Sequence, residues 1–171
     1  MPVGQKFLDA MKKLRVTTII RYGDYPNETI KGKTPLAAEL ALIKANGFDV
    51  AFVFQHNNSS ISSFTVVRGA ADAKRMIELY KMWGIPLGRA MYFGVDGEFS
   101  ASADQAKIAT YANEFQKVAR AAGYKVGAYG GGLSLKNLIA KGYIDFAWLA
   151  NATGWAGSKD FKTTGKWVMQ Q

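Results

Sequence analysis

The residues best placed to do chemistry in this chain are two acids, Asp96 and Glu98, separated only by Gly97. They follow Met91-Tyr-Phe-Gly-Val95, an apolar, aromatic run without proline that predicts a strand. Residues two apart on a strand point the same way, so Asp96 and Glu98 are expected on one face with Tyr92 and Gly94. Their Cα atoms would lie about 6–7 Å apart at the usual rise of about 3.3 Å per residue. Carboxylates at the carboxyl end of a buried strand are costly unless they are paired, hold a metal or do chemistry. The competing reading is a pair of solvated acids in a strand-to-helix loop. Two carboxylates without further oxygen ligands make a weak metal site, and no metal or cofactor is expected.

The elements that must position these acids come from periodicity. Residues 4–14 predict a short amphipathic helix carrying Phe7, Leu8, Met11 and Leu14, and Val16–Tyr22 a β-branched strand. Arg21 near its end, taken to share a face with Thr17 and Ile19, is read as either a site residue or a rim cation. A polar loop from Asp24 to Lys33 leads to a helix opened by Thr34 as cap and Pro35 at its first position. Asp49–Gln55 is an almost unbroken apolar run, as in a strand covered on both faces. A helix is expected over 69–83, with Ala70, Ala73, Ile77 and Tyr80 inward. Another starts at a capping box, Ser102-Ala-Asp-Gln105. Strands are expected at 125–129, 145–150 and 166–171, and a helix at 135–140. Gly130-Gly-Gly132 reads as a tight turn, since it lacks the spacing and lysine of a phosphate loop.

Strands alternating with helices imply parallel β structure with right-handed crossovers in one domain, residues 1–171. Arg21 and Tyr22, Gln55, Asp96 and Glu98, Tyr129, Trp148 and Gln170 all fall at strand carboxyl ends, where sites of β/α folds gather. His56, in the loop after Gln55, is either a proton shuttle or simply solvated.

Composition removes several chemistries. There is no cysteine and one histidine, which excludes a disulfide framework, a thiolate zinc site, a cysteine nucleophile and a multi-histidine metal centre. No apolar run reaches the roughly 18–20 residues of a membrane span, and the first residues lack a signal-peptide core. A Sec-type signal is therefore not expected. Lys and Arg outnumber Asp and Glu 22 to 13, a net charge of +9. That balance points to an anionic partner: nucleic acid, an anionic membrane or a cell-wall polymer. The charges are scattered and no nucleic-acid-binding motif is present, so no specific nucleic-acid partner is expected.

Tyr92-Phe-Gly-Val-Asp96, with Gly88 upstream, resembles the glycoside-hydrolase-like TIM-barrel family related to the family 25 (Chalaropsis-type) lysozymes. Further segments fit in order: Ile20-Arg-Tyr22, Lys33-Thr-Pro-Leu-Ala-Ala-Glu39, Val53-Phe-Gln55, Phe64–Ala73, Gly84-Ile-Pro-Leu-Gly88, Val126-Gly-Ala-Tyr-Gly130, Ala147-Trp148 and Trp167–Gln170. The resemblance implies an α/β fold, a TIM-barrel-like parallel barrel, here short because the family's first and last strands are not evident. It implies hydrolysis of the β-1,4 glycan of peptidoglycan, with Glu98 as general acid and Asp96 as stabilising carboxylate. Arg21, Gln55, Tyr92, Tyr129, Trp148 and Gln170 would line the sugar groove, aromatics offering flat faces to sugar rings. A phage-lysin-like muramidase acting at the bacterial cell wall, held to the anionic envelope by its basic charge, is the first expectation.

The family's strand-one aspartate has no counterpart here, and Asp9 sits on a helix. That departure supports a second expectation, a non-catalytic glycan-binding module on a degenerate barrel. A basic nucleic-acid-associated protein is a third, with charge in its favour and no motif.

Overall fold

The computed structural model describes residues 3–28 and 30–171; Met1, Pro2 and Thr29, the last within the expected loop at 24–33, lie outside them. Six strands form one parallel sheet whose order across the sheet equals the order along the chain. They are β1 (Thr18–Gly23), β2 (Asp49–Phe54), β3 (Ala90–Val95), β4 (Lys125–Gly130), β5 (Phe146–Leu149) and β6 (Met169–Gln170). Helix α1 (Gln5–Lys13) precedes β1. The crossovers carry α2 (Ala37–Ala45), α3 (Val66–Met82), α4 (Ser102–Ala121), α5 (Gly132–Ala140) and α6 (Ser158–Thr163). The sheet curls into a half-barrel, an incomplete TIM-barrel-like fold.

Strand alternation divides the apolar residues between two cores. Ile19, Phe52, Phe54, Met91, Phe93, Val95, Val126, Ala128, Ala147 and Leu149 face the helices and form the larger core with them. Aromatic packing dominates there: Phe52 stacks on Trp83 with ring centroids 4.5 Å apart, and Phe93 meets Phe115 at 5.0 Å. Helices α3 and α4 approach closely at Gly69, where a Cβ would lie 2.3 Å from the Tyr111 carbonyl oxygen. The alternate residues face the concave side. Val53, Tyr92 and Trp148 are buried there against Ile20, Tyr22, Ala90, Tyr129, Phe146 and Met169. Tyr92 lies flat against Gly127, whose missing side chain makes the space: a Cβ there would be 2.3 Å from the Tyr92 ring.

Helix starts differ from the expected ones for local reasons. The Thr34 amide donates to Glu28 Oε1 at 2.7 Å, which holds Thr34 in the preceding loop, and α2 begins only after Leu36. Helix α3 starts at Val66, three residues early, because Thr65 Oγ1 accepts the Arg68 amide at 3.2 Å. Its buried stripe then runs through Asp72, Ala73, Met76, Leu79 and Tyr80, leaving Ala70 and Ile77 half-buried. The capping box does not form. Ala101 caps α4, and Gln105 donates from Nε2 to Ser134 Oγ at 2.8 Å and to the Phe99 carbonyl.

The Gly130–Gly132 glycines serve close packing rather than a left-handed turn: none has a positive φ, and a Cβ on Gly132 would sit 2.3 Å from the Gly157 carbonyl oxygen. Helix α6 lies in the stretch between the expected strands at 145–150 and 166–171, and the sequence reading assigned no element there.

Candidate active site

A cavity of about 430 Å³ opens at the carboxyl ends of the strands. That is the size of a small-molecule or single-sugar site. The first five strands deliver concave-face residues to it: Tyr22 from β1, Val53 and then Gln55 from the end of β2, Asp96 just past β3, Tyr129 from β4 and Trp148 from β5. Arg21, Ile30, Lys33 and Gln171 complete the wall.

Asp96 is the carboxylate of this wall. It continues the inward series Tyr92, Gly94, Asp96, although β3 itself ends at Val95. Gln55 Nε2 donates to Asp96 Oδ2 at 2.7 Å. The ammonium of Lys33 is the neighbouring cation: its Nζ donates to the Gln55 carbonyl at 2.6 Å, lies 4.9 Å from the centre of the Tyr22 ring and stands 3.8 Å from Asp24 Oδ2. Burial pushes the Lys33 ammonium below its ordinary pKa, and the carboxylates of Asp24, Asp96 and Glu28 oppose that shift.

Behind the wall lies a polar network. Asp24 is fully buried, and its Oδ1 meets His56 Nδ1 at 2.6 Å and accepts the Tyr25 amide at 2.7 Å. His56 is thus a partner of a buried carboxylate rather than a solvated loop residue, and it is not part of the cavity wall. Asp72, also fully buried, accepts from the hydroxyls of Tyr25 (2.6 Å) and Tyr111 (2.8 Å), with Arg68 Nε at 3.5 Å. Burial raises the Asp72 carboxyl pKa, and the two hydroxyls and the guanidinium act against it.

The expected site residues divide. Gln55, Asp96, Tyr129 and Trp148 come together in the cavity wall. Arg21 also lines it, but on its strand it follows the helix-facing Ile19 series and is committed to Glu39 of α2. The Nε–Oε1 approach of 2.7 Å in that pair is ionic rather than an aligned hydrogen bond; the bond proper runs from Nη2 to Oε2 at 3.4 Å. Tyr92 does not reach the cavity wall: it is buried one step earlier on β3, in edge contact with Trp148. Gln170 falls on the wrong side of a two-residue strand: it pairs in register with Leu149 and donates to Asn151 Oδ1 at 3.2 Å. Its neighbour Gln171 takes the cavity place, its Oε1 accepting the Tyr129 hydroxyl at 2.7 Å.

Glu98 is not brought to the wall. The chain bends at Gly97, packed under the Phe99 ring, and Glu98 is exposed. The face shared by Asp96 and Glu98 required β3 to run on past Val95, which it does not.

Sequence reasoning placed Tyr22 at a strand carboxyl end without assigning it to the sugar groove, and it passed over Lys33, Asp24 and Gln171. Tyr22 was within reach, since it lies two residues from Ile20 on an alternating strand. Lys33 and Asp24 sit in a loop, where no periodicity marks a residue as buried.

The Rv2525c-like, glycoside hydrolase-like domain model matches residues 9–171. Among solved structures, the Tat-secreted protein Rv2525c of Mycobacterium tuberculosis, in complex with HEPES, superposes with a TM-score of 0.72 at 17% identity, over 88% of this chain and 77% of that one. An uncharacterized B. stearothermophilus protein gives 0.65 at 14% identity over 90% and 71%. The modular autolysin LytC of Streptococcus pneumoniae, solved with a synthetic peptidoglycan ligand, gives 0.54 at 18% identity. That match covers 86% of this chain but 35% of the autolysin. At these identities the likeness is one of fold. No curated protein matches the sequence.

Proposed function

Because the chain belongs to the Rv2525c-like, glycoside hydrolase-like domain family, we propose that its cavity binds a glycan strand of the peptidoglycan type and that the protein acts on it as a muramidase-type glycosidase. The observation that carries this reading is Asp96, a carboxylate set among Tyr22, Tyr129 and Trp148 at the strand ends. Aromatic faces hold sugar rings by apolar contact, and a fixed carboxylate offsets the positive charge that develops on a ring as its glycosidic bond breaks. The fold likeness to an autolysin solved with a peptidoglycan ligand supports the substrate class. The net charge of +9 suits adhesion to an anionic envelope, the place of action this reading assigns.

In this scheme Glu98 gives its proton to the bridging oxygen as the bond from the anomeric carbon breaks. Asp96 stabilises the ring cation. Water then adds at that carbon, its surplus proton restoring the acid. Glu98 is exposed, so in this scheme a glycan seated over it supplies the drier surroundings of a general acid.

The exposure of Glu98 favours a second reading, glycan binding without hydrolysis. Turbidity clearance of outer-membrane-stripped cells, with reducing ends counted and sedimentation on purified peptidoglycan in parallel, separates the two. Clearance by wild type that disappears in Glu98→Gln and Asp96→Asn supports the glycosidase. Co-sedimentation without reducing ends from any variant replaces it with the binding domain, and neither clearance nor co-sedimentation refutes both.

A further inference from the structure

We propose that Asn58 is the positioning residue for Asp96, acting as a one-residue substitute for the strand that β3 lacks on its β2 side. This inference rests on the glycosidase reading for its consequence, not for its geometry. Strand β2 ends at Phe54, and its register with β3 covers only Val53↔Tyr92 and Phe54↔Phe93. On the other side β4 accompanies β3 up to Val95↔Gly130. The last turn of the β3 ribbon, which aims Asp96, is therefore paired by a true strand on one side only.

Asn58 fills the open side. In a parallel ladder a residue bonds to the two residues that flank its partner, donating to one carbonyl and accepting from the amide two positions on. Asn58 does this around Val95. Its Nδ2 donates to the Gly94 carbonyl at 2.9 Å, and its own carbonyl accepts the Asp96 amide at 3.1 Å. The side-chain amide stands where a strand's backbone N–H would be. The remaining side-chain oxygen accepts the His56 amide at 2.9 Å, and the residue is 1% exposed.

The surroundings fix Asn58 in turn. Asn57, with φ of 57°, makes the left-handed step that brings the chain back to β3. Ser63 Oγ donates to the Asn57 carbonyl at 2.7 Å. From α3, Arg68 donates to the His56 carbonyl and, at 3.5 Å, to Asn58 Oδ1, while its Nε faces the buried Asp72. The cavity wall thus reaches the helix layer through Asn58.

The first test needs no variant. Amide hydrogen exchange of the wild-type chain should show the Asp96 N–H protected at least about tenfold over a free peptide, as a hydrogen-bonded amide is. Exchange at the free-peptide rate overturns the proposal. Asn58→Ala, which keeps the main-chain acceptor but loses the side-chain bonds that anchor it to Gly94 and His56, should then lower that protection while leaving the amides of Met91 and Phe93 protected. On glycan it should lower kcat about 10–100-fold with KM within about twofold, the signature of a misplaced group rather than a lost binding contact. A folded variant with wild-type kcat, or with Asp96 protected as strongly as in wild type, overturns it. If Asn58→Ala does not fold, the wild-type exchange decides alone. If wild type releases no reducing ends, the glycosidase reading falls, and the exchange at Asp96 with and without Asn58 still decides the positioning claim.

Discussion

Gln55 holds Asp96 with its side chain, Nε2 to Oδ2 at 2.7 Å, and Lys33 with its carbonyl, which accepts Nζ at 2.6 Å. One residue at the end of β2 therefore spaces the cation and the carboxylate of the cavity. Replacing it by leucine removes the bond to Asp96 and keeps the one to Lys33. Gln55→Leu is expected to lower kcat/KM, or affinity for peptidoglycan if no hydrolysis occurs, by about tenfold, the worth of a hydrogen bond to a charged group. Its urea midpoint should shift little. A variant as active as wild type would remove Gln55 from the site.

Trp148 makes two kinds of contact at once. It lines the cavity and packs in edge geometry on Tyr129, with centroids 4.7 Å apart, and on Tyr92 at 6.4 Å. Trp148→Ala should destabilise the fold by about 3 kcal/mol, as expected for truncating a buried aromatic, and abolish glycan retention. Trp148→Phe should recover most of the stability. Chemical denaturation and co-sedimentation read the two effects separately, and retention undiminished in Trp148→Ala would show that the glycan lies elsewhere.

The Tyr129 phenol is pushed up from 10.0 to about 12, first by burial, then by the charges of Asp96 and Tyr22. A folded-state pKa above the unfolded one means that the native chain keeps its proton longer. The stability this contributes is fully present below pH about 10 and is lost as pH rises toward about 12. Absorbance titration near 295 nm, with Tyr129→Phe to assign the group, should place its ionisation near the upper end of that window. Asp96→Asn should move it down, because a repelling charge is gone. An unchanged midpoint would separate the two residues.

Asp24 is the carboxylate that Lys33 and His56 share behind the wall. Asp24→Ala leaves buried cationic and polar groups without their carboxylate, at a cost of about 3 kcal/mol in urea unfolding. A loss below about 1 kcal/mol would show the network to be dispensable for the fold.

The fold was largely legible because alternation and helical periodicity are properties of neighbouring residues. All six strands were expected at their places, and Gln55, Asp96, Tyr129 and Trp148 were found by reading strand carboxyl ends. What escaped depends on where strands stop and how loops return. Whether β3 ends at Val95 or runs to Glu98 decides whether Glu98 joins Asp96 at the cavity, and the bend at Gly97 that separates them is not written in the alternation. Whether Gln170 or its neighbour faces inward follows from the pairing with Leu149, which only the assembled sheet defines. Asp24 and Lys33 are buried by tertiary contacts made across β1, β2 and α3, so their loop looks merely polar in the sequence.

A sheet in which strand order equals chain order can grow by addition at one edge, each new strand docking on a neighbour already in place. Such accretion keeps most pairing between successive units and avoids the long-range closure that slows a complete barrel. For a sheet assembled in that way, Tyr22 and Gln55 would take their positions with the first two strands, Asp96 and Tyr129 would follow as β3 and β4 join, and Gln171 would arrive with β6. The two-residue β6, the shortest strand of the sheet, is also the piece that finishes the wall, so binding competence should appear only at the last step of assembly, after most of the hydrophobic core has formed.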